Sequence, residues 1–125
     1  MSEREVALAR NGLEAWRRGN LEAVEEMLAP DATWHWFEPG EWDCDNREEI
    51  LSTLRERYEQ GFGRGEMELV DAGPGAVIAV SRPREVGGDE WPEETATVIS
   101  FRKDKIVSLQ DYRTRDEALA AIGNP

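Results

Sequence analysis

The sequence has one cysteine, one histidine and no long apolar run, and each scarcity narrows the possible functions. The lone cysteine, Cys44, cannot form an internal disulfide, which is typical of proteins from a reducing compartment. No apolar stretch approaches the roughly 20 residues that cross a bilayer, and the first ten residues, MSEREVALAR, lack the apolar segment of a secretion signal. We therefore predict a cytoplasmic protein.

Basic residues are also scarce, with 15 Lys and Arg against 27 Asp and Glu, for a formal net charge of −12. Such a field repels phosphate backbones and anionic lipid headgroups, so neither nucleic-acid binding nor membrane binding is expected. A chain of 125 residues is long enough for one core, and we predict a single domain over residues 1–125. Five Trp, three Phe and two Tyr supply large side chains to that core.

The first half of the chain has helical patterns and the second half has strand patterns. Ser2, Asn20 and Asn46 are placed to cap three helices, and Thr114 is placed to cap a short final one over residues 116–122. The third helix is expected to bury one stripe of side chains, namely Ile50, Leu54 and Tyr58. Strands are predicted at residues 32–37, 66–72, 76–82, 94–102 and 105–113. Helices followed by mostly consecutive antiparallel strands predict an α+β fold.

Four segments carry a family pattern that spans almost the whole chain. They are Trp16 with Gly19-Asn20, the run from Leu28 to His35, Arg47 to Ile50, and Phe101 to Tyr112. In these segments the chain resembles the SnoaL-like branch of the nuclear transport factor 2-like superfamily. The resemblance implies a cone-shaped, strongly bent sheet that wraps around the N-terminal helices and encloses a pocket. It does not select a function, because the superfamily includes isomerases, cyclases, hydrolases, dehydratases and non-catalytic binding modules.

Similarity to ketosteroid isomerase, a member of that superfamily, implies which side chains face the pocket. Trp36 stands at the position of that enzyme's general base. Its acidic oxyanion-hole donor falls on Thr97 or Ile99, and its tyrosine donor falls on Gly12. All three functional groups are absent, which excludes proton abstraction beside a ketone with an oxyanion hole of that design. The same comparison turns several residues inward: Trp34, Trp36, Leu109, Asp111 and Arg113.

Asp111 is the strongest candidate for acid–base chemistry. A carboxyl group that projects into an apolar, Trp-lined cavity has a raised pKa, which suits general acid–base catalysis. Arg113 lies two residues further along the same strand face and can instead hold Asp111 ionised in a structural ion pair. His35 is a second catalytic candidate, because only histidine titrates near neutral pH without perturbation. Strand alternation, however, places His35 on the face opposite the two tryptophans unless a bulge reverses it.

The aromatic residues indicate the kind of ligand. Indole-lined pockets favour flat or polycyclic apolar molecules, although aromatic side chains can also simply form the core. The expected ligand-binding residues are Trp34, Trp36, Trp42, Tyr58, Thr97 and Arg113. A metal site is not predicted, because Asp43-Cys44-Asp45 and the distant His35 lack the repeated ligand spacing of zinc sites. No cofactor is expected either.

Two functions remain open at this point. One is a non-catalytic binding module for a small apolar molecule, which the loss of the isomerase groups favours. The alternative is a cofactor-independent cyclase, hydrolase or isomerase that uses Asp111 as general acid and base. In addition, the outward-facing residues of the late strands are apolar, so we expect a homodimer through the outer face of the sheet. Those residues are Ala96, Val98, Ile106 and Tyr112.

Overall fold

The computed structural model describes residues 3–38, 40, 43–62, 65–73 and 75–122 of the chain. Its helices are α1 (Glu3–Arg17), α2 (Leu21–Met27), α3 (Arg47–Glu59), α4 (Arg84–Gly87) and α5 (Arg115–Ala121). Its strands are β1 (Leu28–His35), β2 (Met67–Asp71), β3 (Ala76–Ser81), β4 (Thr95–Arg102) and β5 (Lys105–Tyr112). None of the helices in these ranges is both long and apolar enough to cross a membrane.

The predicted capping residues begin the helices. Asn20 accepts a hydrogen bond from the amide of Ala23 at the start of α2, and Asn46 accepts one from the amide of Glu49 at the start of α3. Thr114 does the same for α5. These bonds satisfy amides that have no partner within the first helical turn. The predicted cap at Ser2 lies outside the described residues.

The five strands form one open sheet in the order β1-β5-β4-β3-β2. Only β1 and β5 run parallel, whereas the other three pairings are antiparallel. Two register irregularities interrupt the ladders, one between Leu28 and Thr33 and one between Ser100 and Phe101. Such irregularities bend a strand and increase its twist. The expected α+β fold with a curved, mostly antiparallel sheet is confirmed.

Side chains alternate between two cores on the two faces of the sheet. Val77 and Ala79 belong to the larger, concave core with α1, α2 and α3, while Ile78 and Val80 belong to the outer one. The indole N–H of Trp16 donates a 2.8 Å hydrogen bond to the carbonyl of Leu54, which joins α1 to α3. The helices and the curved sheet thus enclose a space between them.

Helix α5 packs on the outer face of the sheet, against the apolar residues for which a second copy of the chain is expected. Ala96 is 0% exposed and Val98 is 6% exposed, because Ala118 and its neighbours on α5 pack over them. The apolar character of these two positions therefore has an explanation within the chain. The homodimer stays a prediction. Ala96 and Val98 do not support it, because α5 of the same chain already covers them.

Ile106 was expected on the outer face but belongs to the concave core. Ser100 pairs with Ser108, whereas Phe101 pairs with Ile106, so β5 contains one extra residue at this point. A bulge of this kind reverses the side-chain parity on one side of it. Counting every second residue back from Asp111 and Leu109 therefore assigns Ile106 to the wrong face of the sheet.

Candidate functional site

A cavity of about 190 Å³ lies between the concave sheet face and helices α1 to α3. All five strands contribute to its wall, and most of the lining side chains are apolar or aromatic. Polar groups are few, and two of the charged ones, Glu66 and Arg82, are exposed at the surface. The other charged residues of the described wall are Asp111, which is buried, and Arg57, which is partly buried.

Asp111 projects from β5 into this cavity and is only 3% exposed. Its backbone neighbour across the ladder is Thr97 on β4, and β1 brings Trp34 beside it. The Thr97 hydroxyl donates to Asp111 Oδ1 at 2.6 Å, and the Trp34 indole N–H donates to the same oxygen at 3.1 Å. Among the described residues, none donates a hydrogen bond to Oδ2.

This environment determines the protonation of Asp111. Burial raises the pKa of the carboxyl group, and the hydrogen bonds from Thr97 and Trp34 and the charge of Arg57 offset only part of that effect. Because both donors act on Oδ1, the neutral acid carries its proton on Oδ2. Asp111 therefore has one oxygen fixed by the protein and one with which it can donate to, or accept from, a molecule in the cavity.

Sequence reasoning missed Trp91 and, above all, Arg57 on α3. Its guanidinium carbon lies 4.9 Å from the ring centroid of Trp34, 5.7 Å from that of Trp36 and 5.4 Å from that of Trp91. Burial lowers the pKa of Arg57, and the nearby Asp111 carboxylate is the largest opposing influence. The charge is held by aromatic ring faces rather than by an acid, since no ion pair joins it to any residue of the described ranges.

Tyr58 does not line the cavity, contrary to expectation. It is 40% exposed, and its ring packs against Gly19, where an added Cβ would lie 3.0 Å from the phenol oxygen. Each helical residue rotates about 100° from the one before it, so the face that contains Ile50 and Leu54 continues at Arg57 rather than at Tyr58. The prediction that Tyr58 belongs to the buried stripe of α3 is thus wrong.

Arg113 is not the partner of Asp111. It is exposed, its Nη2 lies 2.8 Å from Glu38 Oε2, and its guanidinium stacks 4.2 Å from the ring centroid of Phe37. The predicted ion pair is wrong because β5 ends at Tyr112, so strand alternation no longer directs the next side chain. The cation that acts on Asp111 is Arg57 of α3 and not the predicted Arg113.

His35 lies outside the cavity lining, on the face opposite Trp34 and Trp36, as strand alternation predicts. Its Nδ1 is 3.4 Å from Asp43 Oδ2, and the amide of Trp36 donates to Asp43 Oδ1 at 2.9 Å. That backbone hydrogen bond is the main reason why the pKa of Asp43 is lowered. His35 and Asp43 therefore position the chain around Trp36, and a direct catalytic role of His35 in this cavity has no geometric support.

The family follows from sequence and fold together. A family model of the SnoaL-like domain matches residues 9–109. The chain belongs to the SnoaL-like family. Its fold is that of the wider nuclear transport factor 2-like superfamily, as the solved structures similar to it show. No functionally curated protein is significantly similar to it in sequence.

Three solved structures illustrate the fold of this SnoaL-like protein. Bal32a, from a soil-derived mobile gene cassette, is 19% identical with a TM-score of 0.67, covering 89% of each chain. A protein of unknown function from Burkholderia xenovorans LB400, described as NTF-2 like, is 18% identical with a TM-score of 0.67, covering 90% of this chain and 85% of its own. A candidate polyketide cyclase from Sinorhizobium meliloti is 14% identical with a TM-score of 0.63, covering 85% and 94% respectively. At these identities the likeness shows the fold alone.

Of the six predicted ligand-binding residues, three line the SnoaL-like cavity: Trp34, Trp36 and Thr97. Trp42 lies outside the described residues. Cys44 is buried, with its Sγ 3.5 Å from the Thr53 hydroxyl, and burial raises the pKa of its thiol, which disfavours the nucleophilic thiolate. Within the described ranges, no three His, Cys, Asp or Glu side chains are grouped as metal ligands.

Proposed function

We propose that this SnoaL-like protein binds a small, mainly apolar molecule in its cavity, with Asp111 as a polar anchor. The observation that carries the proposal is a largely apolar cavity in which a buried carboxyl group keeps one oxygen without a partner among the described residues. Pockets that bind small molecules combine these features: apolar walls give affinity, and a few placed polar groups give orientation.

The size of the cavity limits the ligand. A cavity of about 150 Å³ with apolar walls holds benzene. The 190 Å³ here therefore suits a compact molecule of one or two rings. The wall of Trp34 and Trp36 favours a flat ring, because indole faces stack on aromatic and alicyclic surfaces.

Acid–base catalysis without a cofactor is the second candidate, and one observation favours it. Thr97 and Trp34 fix Oδ1 of Asp111, while burial raises the pKa of the carboxyl group, which brings it nearer to the pH at which a general acid or base works best. The likeness to a candidate polyketide cyclase agrees with this reading at the level of fold. An isomerase, hydrolase or cyclase reaction would then use Oδ2 to accept and return a proton.

A thermal-shift screen with one- and two-ring compounds tests ligand binding. A ligand at 100 times its Kd stabilises the folded state by about 2.7 kcal/mol. With an unfolding entropy of about 2.1 cal/mol/K per residue, the melting temperature of this chain should then rise by about 10 °C. Ala79→Leu, which fills the buried floor of the cavity, should abolish the shift. A panel that shifts neither protein would contradict the proposal.

Asp111→Asn separates the two candidates once a ligand is found. The exposed Asp31→Asn on β1 removes the same charge away from the cavity and serves as control. Catalysis predicts that Asp111→Asn still binds but loses turnover of the bound compound, whereas the control keeps both. A pure binding module leaves the compound chemically unchanged with the wild-type protein as well.

A further inference from the structure

The cavity contains a cation whose N–H groups have no acceptor among the described residues. Arg57 has five N–H donors, and none of them donates to a residue in the described part of the chain. Its Nε is fully withdrawn from solvent, so water does not satisfy it either. A buried donor without a partner is costly, and such a group in a native protein calls for an explanation, of which a bound molecule that completes it is one.

The surroundings of Arg57 stabilise its charge without neutralising it. The rings of Trp34, Trp36 and Trp91 supply their negative faces, which attract a cation but leave its in-plane N–H groups available. Asp111 acts on Arg57 through space but makes no ion pair with it. Two donors on Oδ1 already hold Asp111 in place on the other side of Trp34.

We propose that Arg57 receives an anionic group of the ligand, and that the ligand class is a small aromatic or alicyclic carboxylic acid. This inference rests on the proposed function. A carboxylate fits the planar guanidinium fork with two parallel hydrogen bonds. Its ring would lie in the apolar part of the cavity, against the indoles. Asp111, when protonated on Oδ2, would tolerate the anion and can donate to it.

A carboxylate suits this site better than a phosphate. A phosphate brings close to two negative charges and a strongly held hydration shell, whereas Arg57, the partly buried cation of the described wall, already has an acid nearby. The overall charge of −12 also opposes anions at long range. Any preference for an acid over its neutral amide must therefore come from a local contact, because salt screens charges beyond about 8 Å at 0.15 M.

The test compares matched acids and amides: benzoate with benzamide, phenylacetate with phenylacetamide, and 1-naphthoate with 1-naphthamide. Binding is measured by calorimetry and by tryptophan fluorescence at physiological ionic strength. A charge-assisted hydrogen bond predicts that the wild-type protein binds an acid at least about tenfold more tightly than its amide. Arg57→Gln should reduce this ratio to about threefold or less while leaving amide binding nearly unchanged.

Two arginine variants serve as controls. Arg55→Gln removes an exposed charge from the same helix, and Arg82→Gln removes the exposed arginine of the cavity wall. Both should keep the preference for acids. If Arg82→Gln abolishes it and Arg57→Gln does not, the anion binds at the rim and the inference is overturned.

The outcomes separate the inference from the function on which it rests. If amides bind the wild-type protein as tightly as acids do, the cavity is a ligand site but the anionic class is wrong. If neither binds at millimolar concentration, the proposed function fails as well. Should Arg57→Gln not fold, Arg57→Lys retains the charge but loses the planar fork. It should then lower the acid-to-amide ratio to an intermediate value, and an unchanged ratio would count against bidentate recognition.

Discussion

Removing the Thr97 hydroxyl should destabilise the protein by an amount that depends on pH. In Thr97→Val the side chain keeps its shape but can no longer donate to Asp111 Oδ1. The bond it loses is 2.6 Å long and ends on a carboxyl group that is 3% exposed. Its length is typical of a hydroxyl bound to a charged oxygen, for which the loss is about 1.5–3 kcal/mol, against about 1 kcal/mol for a neutral pair.

The sign of the pH dependence follows from the pKa of Asp111. Burial raises that pKa in the folded state, and the Thr97 hydroxyl is the largest influence that lowers it. Without the hydroxyl, the folded-state pKa rises further above its value in the unfolded chain. An acid of this kind favours the folded state at low pH and loses that contribution as the pH rises through its folded pKa. The penalty of Thr97→Val should therefore grow across a range of rising pH, from about 1 kcal/mol where the carboxyl group is protonated to about 2 kcal/mol where it is ionised.

Urea unfolding followed by tryptophan fluorescence, repeated over this pH range, measures the effect. Thr95→Val is a matched control, since Thr95 is also buried on β4 and its hydroxyl bonds at 2.9 Å to the uncharged hydroxyl of Ser81. The control should lose about 1 kcal/mol at every pH. If the two variants lose equal amounts at every pH, Asp111 does not titrate against the Thr97 hydroxyl and the reasoning is refuted.

Three further substitutions test other parts of the site. Asp111→Asn should be more stable than the wild type at high pH, because the raised folded pKa makes the native carboxylate costly there, and its advantage should shrink as the pH falls. A constant difference in urea unfolding across pH would argue against this. Gly87→Ala places a Cβ 2.4 Å from Trp91 Cδ1, and should cost about 1–3 kcal/mol and alter tryptophan emission, whereas Gly40→Ala meets no atom within 4 Å and should change neither. Arg113→Gln breaks an exposed ion pair with Glu38 and a stacking contact with Phe37, both outside the cavity, so ligand affinity should be unchanged and the free energy of unfolding should fall by about 1 kcal/mol or less.

Local signals in the sequence were sufficient to predict most elements of the fold. Asn20, Asn46 and Thr114 cap their helices because a side-chain oxygen and an amide three residues later are enough to make the bond. Strand alternation likewise separates Trp34 from His35 within β1, and Trp36, directly after β1, again lines the cavity. These features depend on neighbours within a few residues, which a sequence displays directly.

The wrong predictions come from geometry that accumulates along an element or arises between elements. Counting in steps of four along α3 leads to Tyr58, whereas the true helical repeat leads to Arg57. Counting in steps of two along β5 fails at Ile106, because a bulge lies between it and Leu109. Arg113 follows the last strand residue, where the count no longer applies. Arg57 could have been found as a charged residue on an otherwise apolar helical face.

Neither the helical repeat nor strand alternation could have predicted that α5 packs on the outer face of the sheet. Its short amphipathic sequence is compatible with solvent on one side and any apolar surface on the other. The apolar residues of the late strands indicate that something covers them, and a second copy of the chain and a helix of the same chain satisfy that requirement equally. Only the tertiary arrangement shows that Ala118 fills this position.

Trp34 explains how an acid and a cation share one cavity without neutralising each other. The edge of an indole is positive and donates through its N–H, whereas its face is negative. The edge of Trp34 binds Asp111 Oδ1, and Arg57 lies over the face. One side chain thus contacts both groups in different directions and keeps them from closing into an ion pair. If Trp34 were aliphatic, desolvation would drive the two groups either to pair directly or to leave the cavity, and the polar groups that are now available to a ligand would be consumed by the protein itself.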